Sequence, residues 1–426
     1  MDRAVPVQVL VALVATCPAQ AIAQDTCCSL AGGSIAEHFR IDAITERRFT
    51  HAELWGALDA YLDGDDLRVA EIGCSIHDLP IRAVSFGTGA TTVLLWSQMH
   101  GDESTATMAL ADLIRFFAEG EDDPLHRRIA EQLTVVMVPM LNPDGAERFQ
   151  RHSALGVDVN RDARRLATPE GRALRTLRDS LEPSFGFNLH DQSARTLAGE
   201  GGRQVAIALL APAADSARSW TPGRMRARRL AALLAAAVSE EWPGRVAKYD
   251  DTFNPRAFGD LIQQCGTSTV LIESGALPDD PQKQELRSIN VRLLLTALDA
   301  IAMNRLDAAP LAAYDSLPFN ERITNDLLLV GGYVVVPDRE PVRLDVALTY
   351  DDPVAHTGLS LGEIGDLEDV VAMDTLDVRG LYLHLSAPSA LDPRDWWLIR
   401  GERVGVVVRR TASEESEVVL RLPRSP

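Results

Sequence analysis

Four apolar, strand-like runs in this chain each give way, at the carboxyl end, to a residue able to do chemistry. Residues 92–98 lead into His100, 133–141 into Asn142, 185–189 into His190 and 269–272 into Glu273. Between them lie Ala/Leu/Arg-rich stretches with helical apolar spacing, at 104–118, 171–181, 224–241 and 284–304. Short continuous apolar runs alternating with such helices indicate strands buried on both faces by crossover helices. The expectation is an α/β fold with a mixed, mostly parallel central sheet flanked by helices, with further strands over 81–86 and 205–210. In open α/β sheets the active site lies beyond the carboxyl ends of the strands. Polar residues scattered at random would not collect there four times. Asn142-Pro143-Asp144-Gly145 also reads as an ordinary turn.

From about residue 311 the texture changes. Apolar residues such as Val404, Val406 and Val408 alternate in short runs separated by Gly, Pro and Asp, the pattern of a small all-β domain. The division expected is a signal peptide over 1–23, a catalytic domain over 24–306 and a β-rich accessory domain over 310–426. His356 and His384 stand alone in the last part and read as solvated or structurally hydrogen-bonded histidines.

The first residues carry a processing signal. Arg3 precedes an apolar stretch over 4–16, and Ala21-Ile22-Ala23 supplies small residues before Gln24. The apolar run is too short to span a bilayer, and Thr16 is a bulky neighbour for lipoprotein cleavage at Cys17. The expectation is a secreted or periplasmic protein without stable membrane insertion. Cleavage would leave Cys27, Cys28, Cys74 and Cys265, which permit up to two disulfides in three connectivities, or buried free thiols. A net charge of −19 argues against a nucleic-acid partner, which requires clustered positive charge.

Of nine histidines only His100 has a carboxylate three residues on, at Glu103, so that both side chains face one side and can reach a single ion. With His190 they make a three-ligand set that leaves zinc an open position, and Glu273 adds a carboxylate able to act as a base. In order along the chain, His100-x-x-Glu103, Asn142-Pro143-Asp144-Gly145, Arg151, Asp158-Val159-Asn160-Arg161, His190 and Glu273 resemble the zinc carboxypeptidases of the carboxypeptidase A type, more the bacterial and cytosolic branches than the digestive one. The resemblance covers about residues 73–275.

That resemblance implies one Zn²⁺ held by His100, Glu103 and His190, with Glu273 as general base. It implies Arg151 at the developing oxyanion, Asn160 and Arg161 on the C-terminal carboxylate of a peptide, and Tyr249 as the tyrosine that closes over the substrate. Each role is chemically sound: a fixed cation suits an oxyanion, and an Arg fork suits a planar carboxylate. Gly259 falls at the specificity-pocket floor, with Arg256 near it, and Asp191 reads as a structural neighbour of His190. The reaction implied is removal of a C-terminal residue from peptides with a free C-terminus. Two alternatives share the scaffold: a zinc deacylase of N-acyl amino acids, and an inert peptide-binding protein.

Overall fold

A computed structural model describes residues 30–386 and 397–422. The expected signal peptide, Cys17, Cys27 and Cys28 lie outside the described residues. Cys74 and Cys265 are exposed free thiols and do not bridge one another.

The strands of the first region are β1 (Leu67–Cys74), β2 (Pro80–Phe86), β3 (Thr91–Trp96), β4 (Leu133–Val138), β5 (Phe185–Asp191), β6 (Thr196–Ala198), β7 (Ile207–Leu210), β8 (Val246–Lys248) and β9 (Ser268–Ser274). Eight of them form one mixed sheet in the order β1-β2-β4-β3-β5-β9-β7-β8. Its centre, β4-β3-β5-β9, is parallel. These are the four runs singled out by apolar composition, and burial from both sides is the reason they carry no alternation.

One face is covered by the helices Thr105–Glu119, Pro222–Glu241 and Gln284–Ala302, whose apolar residues merge with those of the sheet in the larger core. The other face, with Leu94, Trp96, Val136 and Val138, packs on Leu174 of the helix Pro169–Leu181 and on Phe258 and Ile262 of the helix Phe258–Gln264. Ahead of the sheet, Thr50 caps the helix His51–Leu62 reciprocally with Glu53, satisfying two otherwise orphaned backbone donors. A buried ion pair, Asp112 with Arg287, ties two of the covering helices and accepts the Ile41 amide at 2.8 Å.

The second sheet contains β11 (Asn325–Val334), β12 (Val342–Asp352), β13 (Thr357–Gly365), β14 (Ala372–Asp377), β15 (Tyr382–Ser386), β16 (Gly405–Arg409) and β17 (Val418–Leu422), following a short β10 (Asn320–Arg322). Its core, including Leu329, Leu348, Leu383, Val406 and Val408, is separate from those of the first region. The second sheet begins at β11, and the residues just before it lie against the first region. Tyr314 is buried in the core of the first region with its hydroxyl accepting the Ala211 amide, and β10 pairs with β6. Among the described residues no helix is long and apolar enough to cross a membrane.

Candidate metal centre

The chain leaves β3 through Ser97 and turns sharply at Gln98, a buried residue in the left-handed region (φ 50°). Such a conformation is unfavourable for a side chain unless its surroundings hold it. Here Gln98 Nε2 donates to the Gly101 carbonyl at 2.9 Å and its Oε1 accepts from Thr107 at 3.0 Å. The turn delivers His100 below the end of β3.

Gly101 then meets the turn after β4 backbone to backbone. A Cβ at Gly101 would lie 2.0 Å from the Gly145 carbonyl carbon, so only glycine fits. Asn142 locks the second turn, accepting the Gly145 amide at 3.0 Å and donating to the Met99 carbonyl at 3.2 Å. Asn142 thus shapes the site from beneath, as the turn reading of its string has it. His190 and Glu273 lie within the last two residues of β5 and β9 and pair directly in register.

These turns bring the expected ligands together. His100 Nδ1 lies 2.7 Å from Glu103 Oε1 and His190 Nδ1 lies 2.6 Å from Glu103 Oε2. Atoms of the three buried residues all fall within 4.8 Å of one another, close enough to hold one metal ion. The donor set fits zinc: two imidazole nitrogens and a carboxylate oxygen. The remote nitrogen of His100, Nε2, lies 3.0 Å from Asp158 Oδ1. A carboxylate there favours the tautomer that leaves Nδ1 free to ligate.

Asp158 also accepts from Arg151, whose Nε and Nη2 approach Oδ2 at 3.2 and 2.9 Å. Arg151 Nη1 reaches Glu103 Oε1 at 3.1 Å, so the guanidinium is fixed at the edge of the ligand group. Asn160 Nδ2 stands 3.3 Å from His190 Nε2, and its Oδ1 accepts the Phe258 amide at 3.0 Å. Arg161 is exposed and donates to the Asn160 carbonyl, outside the buried group. Tyr249 directly follows β8, its amide bonded to the Leu209 carbonyl and its ring packed on Val205, Ala208 and Ala247. It is thus anchored at a strand end rather than carried on a loop. Gly259 is buried against Asn188, whereas Arg256 is exposed.

The electrostatics follow from burial and crowding. Burial acts to lower His100, but the carboxylates of Glu103 and Asp158 push it up to about 9. Burial acts to raise Glu103, yet the two imidazoles hold it well below the ordinary carboxylate range. Glu273 moves the other way: burial, then the charges of Glu103 and Asp191, raise it well above an ordinary glutamate. That makes it a stronger base, and a divalent cation among the three ligands acts against the rise.

Two participants, Asp158 and Lys283, were not assigned from sequence. Asp158 belongs to the string that marked Asn160 and Arg161, but nothing in linear spacing ties it to a histidine 58 residues away. Asp191 donates its amide to Glu103 Oε2 at 3.2 Å, and its carboxylate accepts from Thr105 at 2.6 Å and from buried Lys283 at 2.9 Å. Lys283 is one of two lysines in the chain, and that rarity was the available signal.

Part of the chain is similar to known proteins. Residues 62–189 match the family model described as zinc carboxypeptidase. Carboxypeptidase 2 of Trichophyton rubrum is 28% identical over 102 residues, covering 24% of this chain and 19% of that protein. Carboxypeptidase SOL1 of Arabidopsis thaliana is 34% identical over 102 residues, covering 22% and 21%. The chain thus spans about a fifth of the length of the curated relatives it matches. Among solved structures, a metallo-carboxypeptidase from Burkholderia cenocepacia aligns with a TM-score of 0.46 at 19% identity, covering 59% of this chain and 68% of that one. Carboxypeptidase A from Helicoverpa armigera aligns with a TM-score of 0.49 at 14% identity, covering 61% and 74%. The family match takes in His100 and Glu103 and stops one residue short of His190, so that over residues 62–189 the chain is similar to the zinc carboxypeptidases.

Proposed function

We propose that this protein is an exported zinc carboxypeptidase that hydrolyses the C-terminal bond of peptides with a free C-terminus. The observation that carries the reading is the meeting of His100, Glu103 and His190 beside Glu273, with His190 and Glu273 paired across β5 and β9. Bound there, zinc would supply a Lewis acid that polarises a carbonyl oxygen and acidifies water.

The chain's own groups do the rest. Glu273 takes a proton from the attacking water and passes it to the departing amine nitrogen as the C–N bond breaks. Raised basicity from burial suits it to the first transfer. Arg151, fixed by Asp158 and Glu103, presents a cation to the oxyanion that forms on the carbonyl. Asn160 and Arg161 receive the terminal carboxylate, Arg161 from the exposed side. Tyr249 borders the substrate path. Export rests on the apolar stretch over 4–16 and the Ala21-Ile22-Ala23 site.

The test is a panel of free-ended and amidated peptides together with N-acyl amino acids, read by mass spectrometry. Single residues should be lost from free ends only. Cleavage confined to N-acyl amino acids would replace the peptidase reading with the deacylase one, and no turnover by zinc-loaded protein would favour a binding protein.

A further inference from the structure

Beside the candidate site lies a cavity of about 410 Å³ lined by Ser193, Thr196, Tyr249, Phe319, Asn320 and Arg322. One wall is the ribbon in which β10 pairs with β6, Arg322 opposite Thr196. The ribbon is pinned to the site, because Asn320 Nδ2 donates to Gln192 Oε1 at 2.9 Å and Gln192 follows His190 by two residues. The cavity is therefore built by the segment that leads into the second sheet.

Its charge is unusual for this molecule. In a chain of net charge −19, arginines at many sites sit on carboxylates, as Arg195 does on Asp326 and Arg228 on Asp315. Arg322 is exposed and, among the described residues, makes no side-chain hydrogen bond or ion pair. Its charge is felt by the Tyr249 phenol across the cavity. Lys248 lies 4.9 Å over the Phe319 ring and donates to a backbone carbonyl, that of Asp315. The one acid in the lining, Asp250, is turned onto its own loop, accepting the Thr252 amide at 2.8 Å. Phe319, 57% exposed, adds an apolar wall.

The sheet sets the distance. Glu273 pairs with Ala208, and Leu209 pairs with Lys248, so Tyr249 stands two strands away from the base. At about 4.8 Å per strand that is roughly 10 Å, or about three residues of extended peptide. Asn160, proposed for the terminal carboxylate, is fixed instead on the β5 side, by His190 and the Phe258 helix. We propose that the cavity is a subsite for an acidic side chain about three residues on the amino side of the substrate's free C-terminus, with Arg322 as its counter-charge. The assignment rests on the carboxypeptidase reading.

The experiment uses the full chain, zinc-loaded, as Glu273→Gln to suppress turnover. N-acetylated hexapeptides carrying a single Glu moved through the positions upstream of the C-terminus are titrated by calorimetry, each against its Gln counterpart. Glu about three residues upstream should bind about two- to fivefold more tightly than Gln, the range of an exposed ion pair. Adding Arg322→Gln should abolish that preference, and Arg322→Lys should retain part of it. A flat scan, no peptide binding, a peak elsewhere, or a preference that survives Arg322→Gln overturns the subsite. Hydrolysis of neutral peptides by the unaltered protein separates the two proposals. Trimming with a flat scan removes the subsite alone. An Arg322-dependent preference without trimming leaves the subsite and removes the reaction.

Discussion

Glu170 offers a test of the buried electrostatics that does not touch the metal ligands. It lies in the first turn of the helix Pro169–Leu181, fully buried, and neither carboxylate oxygen has a hydrogen-bond partner among the described residues. Burial, then the negative charges of Asp144 and Asp162, outweigh the opposing pull of its own backbone amide and Arg172 and bring it up to about 6. In the unfolded chain it titrates near 4.5. Between these values the native state holds a proton that the unfolded state has released, so stability falls as pH rises. The favourable contribution is complete below about 4.5 and is lost through about 6. At about 1.4 kcal/mol per pH unit the loss is about 2 kcal/mol.

Glu170→Gln removes the titration while keeping the shape. Its stability relative to the unaltered protein should therefore rise by about 2 kcal/mol between pH 4 and pH 7, with other titrating groups cancelling in the difference. For a domain of roughly 280 residues this is about 3 °C in melting temperature. Thermal melts of both zinc-loaded proteins across that pH range give the comparison. Parallel curves would refute the reasoning, since they would mean that Glu170 ionises as readily folded as unfolded.

Other substitutions probe the site itself. Glu273→Gln should lower kcat by about 10²- to 10⁴-fold with zinc content by elemental analysis unchanged; full activity would remove Glu273 as the base. Asp158→Ala frees both the remote nitrogen of His100 and Arg151. Zinc affinity by chelator competition should fall about 10- to 100-fold, and an unaltered affinity would refute the orienting role. Arg195→Ala strands the buried Asp326 carboxylate. It should destabilise by about 3 kcal/mol in denaturant unfolding, with partial recovery in Arg195→Met/Asp326→Leu; no loss would show that Asp326 finds water instead.

The parallel centre of the sheet was readable because burial on both faces leaves apolar runs with a polar residue at each end. The edges were not. β1 exposes most of its residues, so its sequence, Leu67–Cys74, carries no apolar signature, and β8 is only three residues long. The candidate site was legible for a related reason: His100, His190 and Glu273 sit where strands end, and strand ends can be found by composition. Asp158 and Lys283 reach the site from a loop and from the start of a helix, contacts made only by the tertiary fold. Arg161 carries the expected string, yet the backbone leaves its side chain outside the ligand group. The placing of Tyr314 and β10 against the first region was hidden for the same reason, because their partners lie more than 100 residues away in sequence.

The second sheet is tied to the surroundings of the site through two carboxylates, Asp326 and Asp352. Asp326, almost fully buried at the start of β11, accepts Arg195 Nε and Nη2 at 2.9 and 2.6 Å and the Tyr350 amide at 2.6 Å. Arg195 precedes Thr196 of β6 and follows His190 by five residues, so the sheet grips the chain that leaves the metal centre. Arg47 pairs with Asp352 of β12 in a second clasp, and the same Arg47 donates to the Pro281 carbonyl, two residues before Lys283. Both clasps therefore end on segments that shape the surroundings of His190 and Asp191 rather than on the ligands. A module attached in this way steadies the β6–β10 ribbon, so that on the proposed reading it would bear on which peptides are held and leave the base, Glu273, to the first sheet.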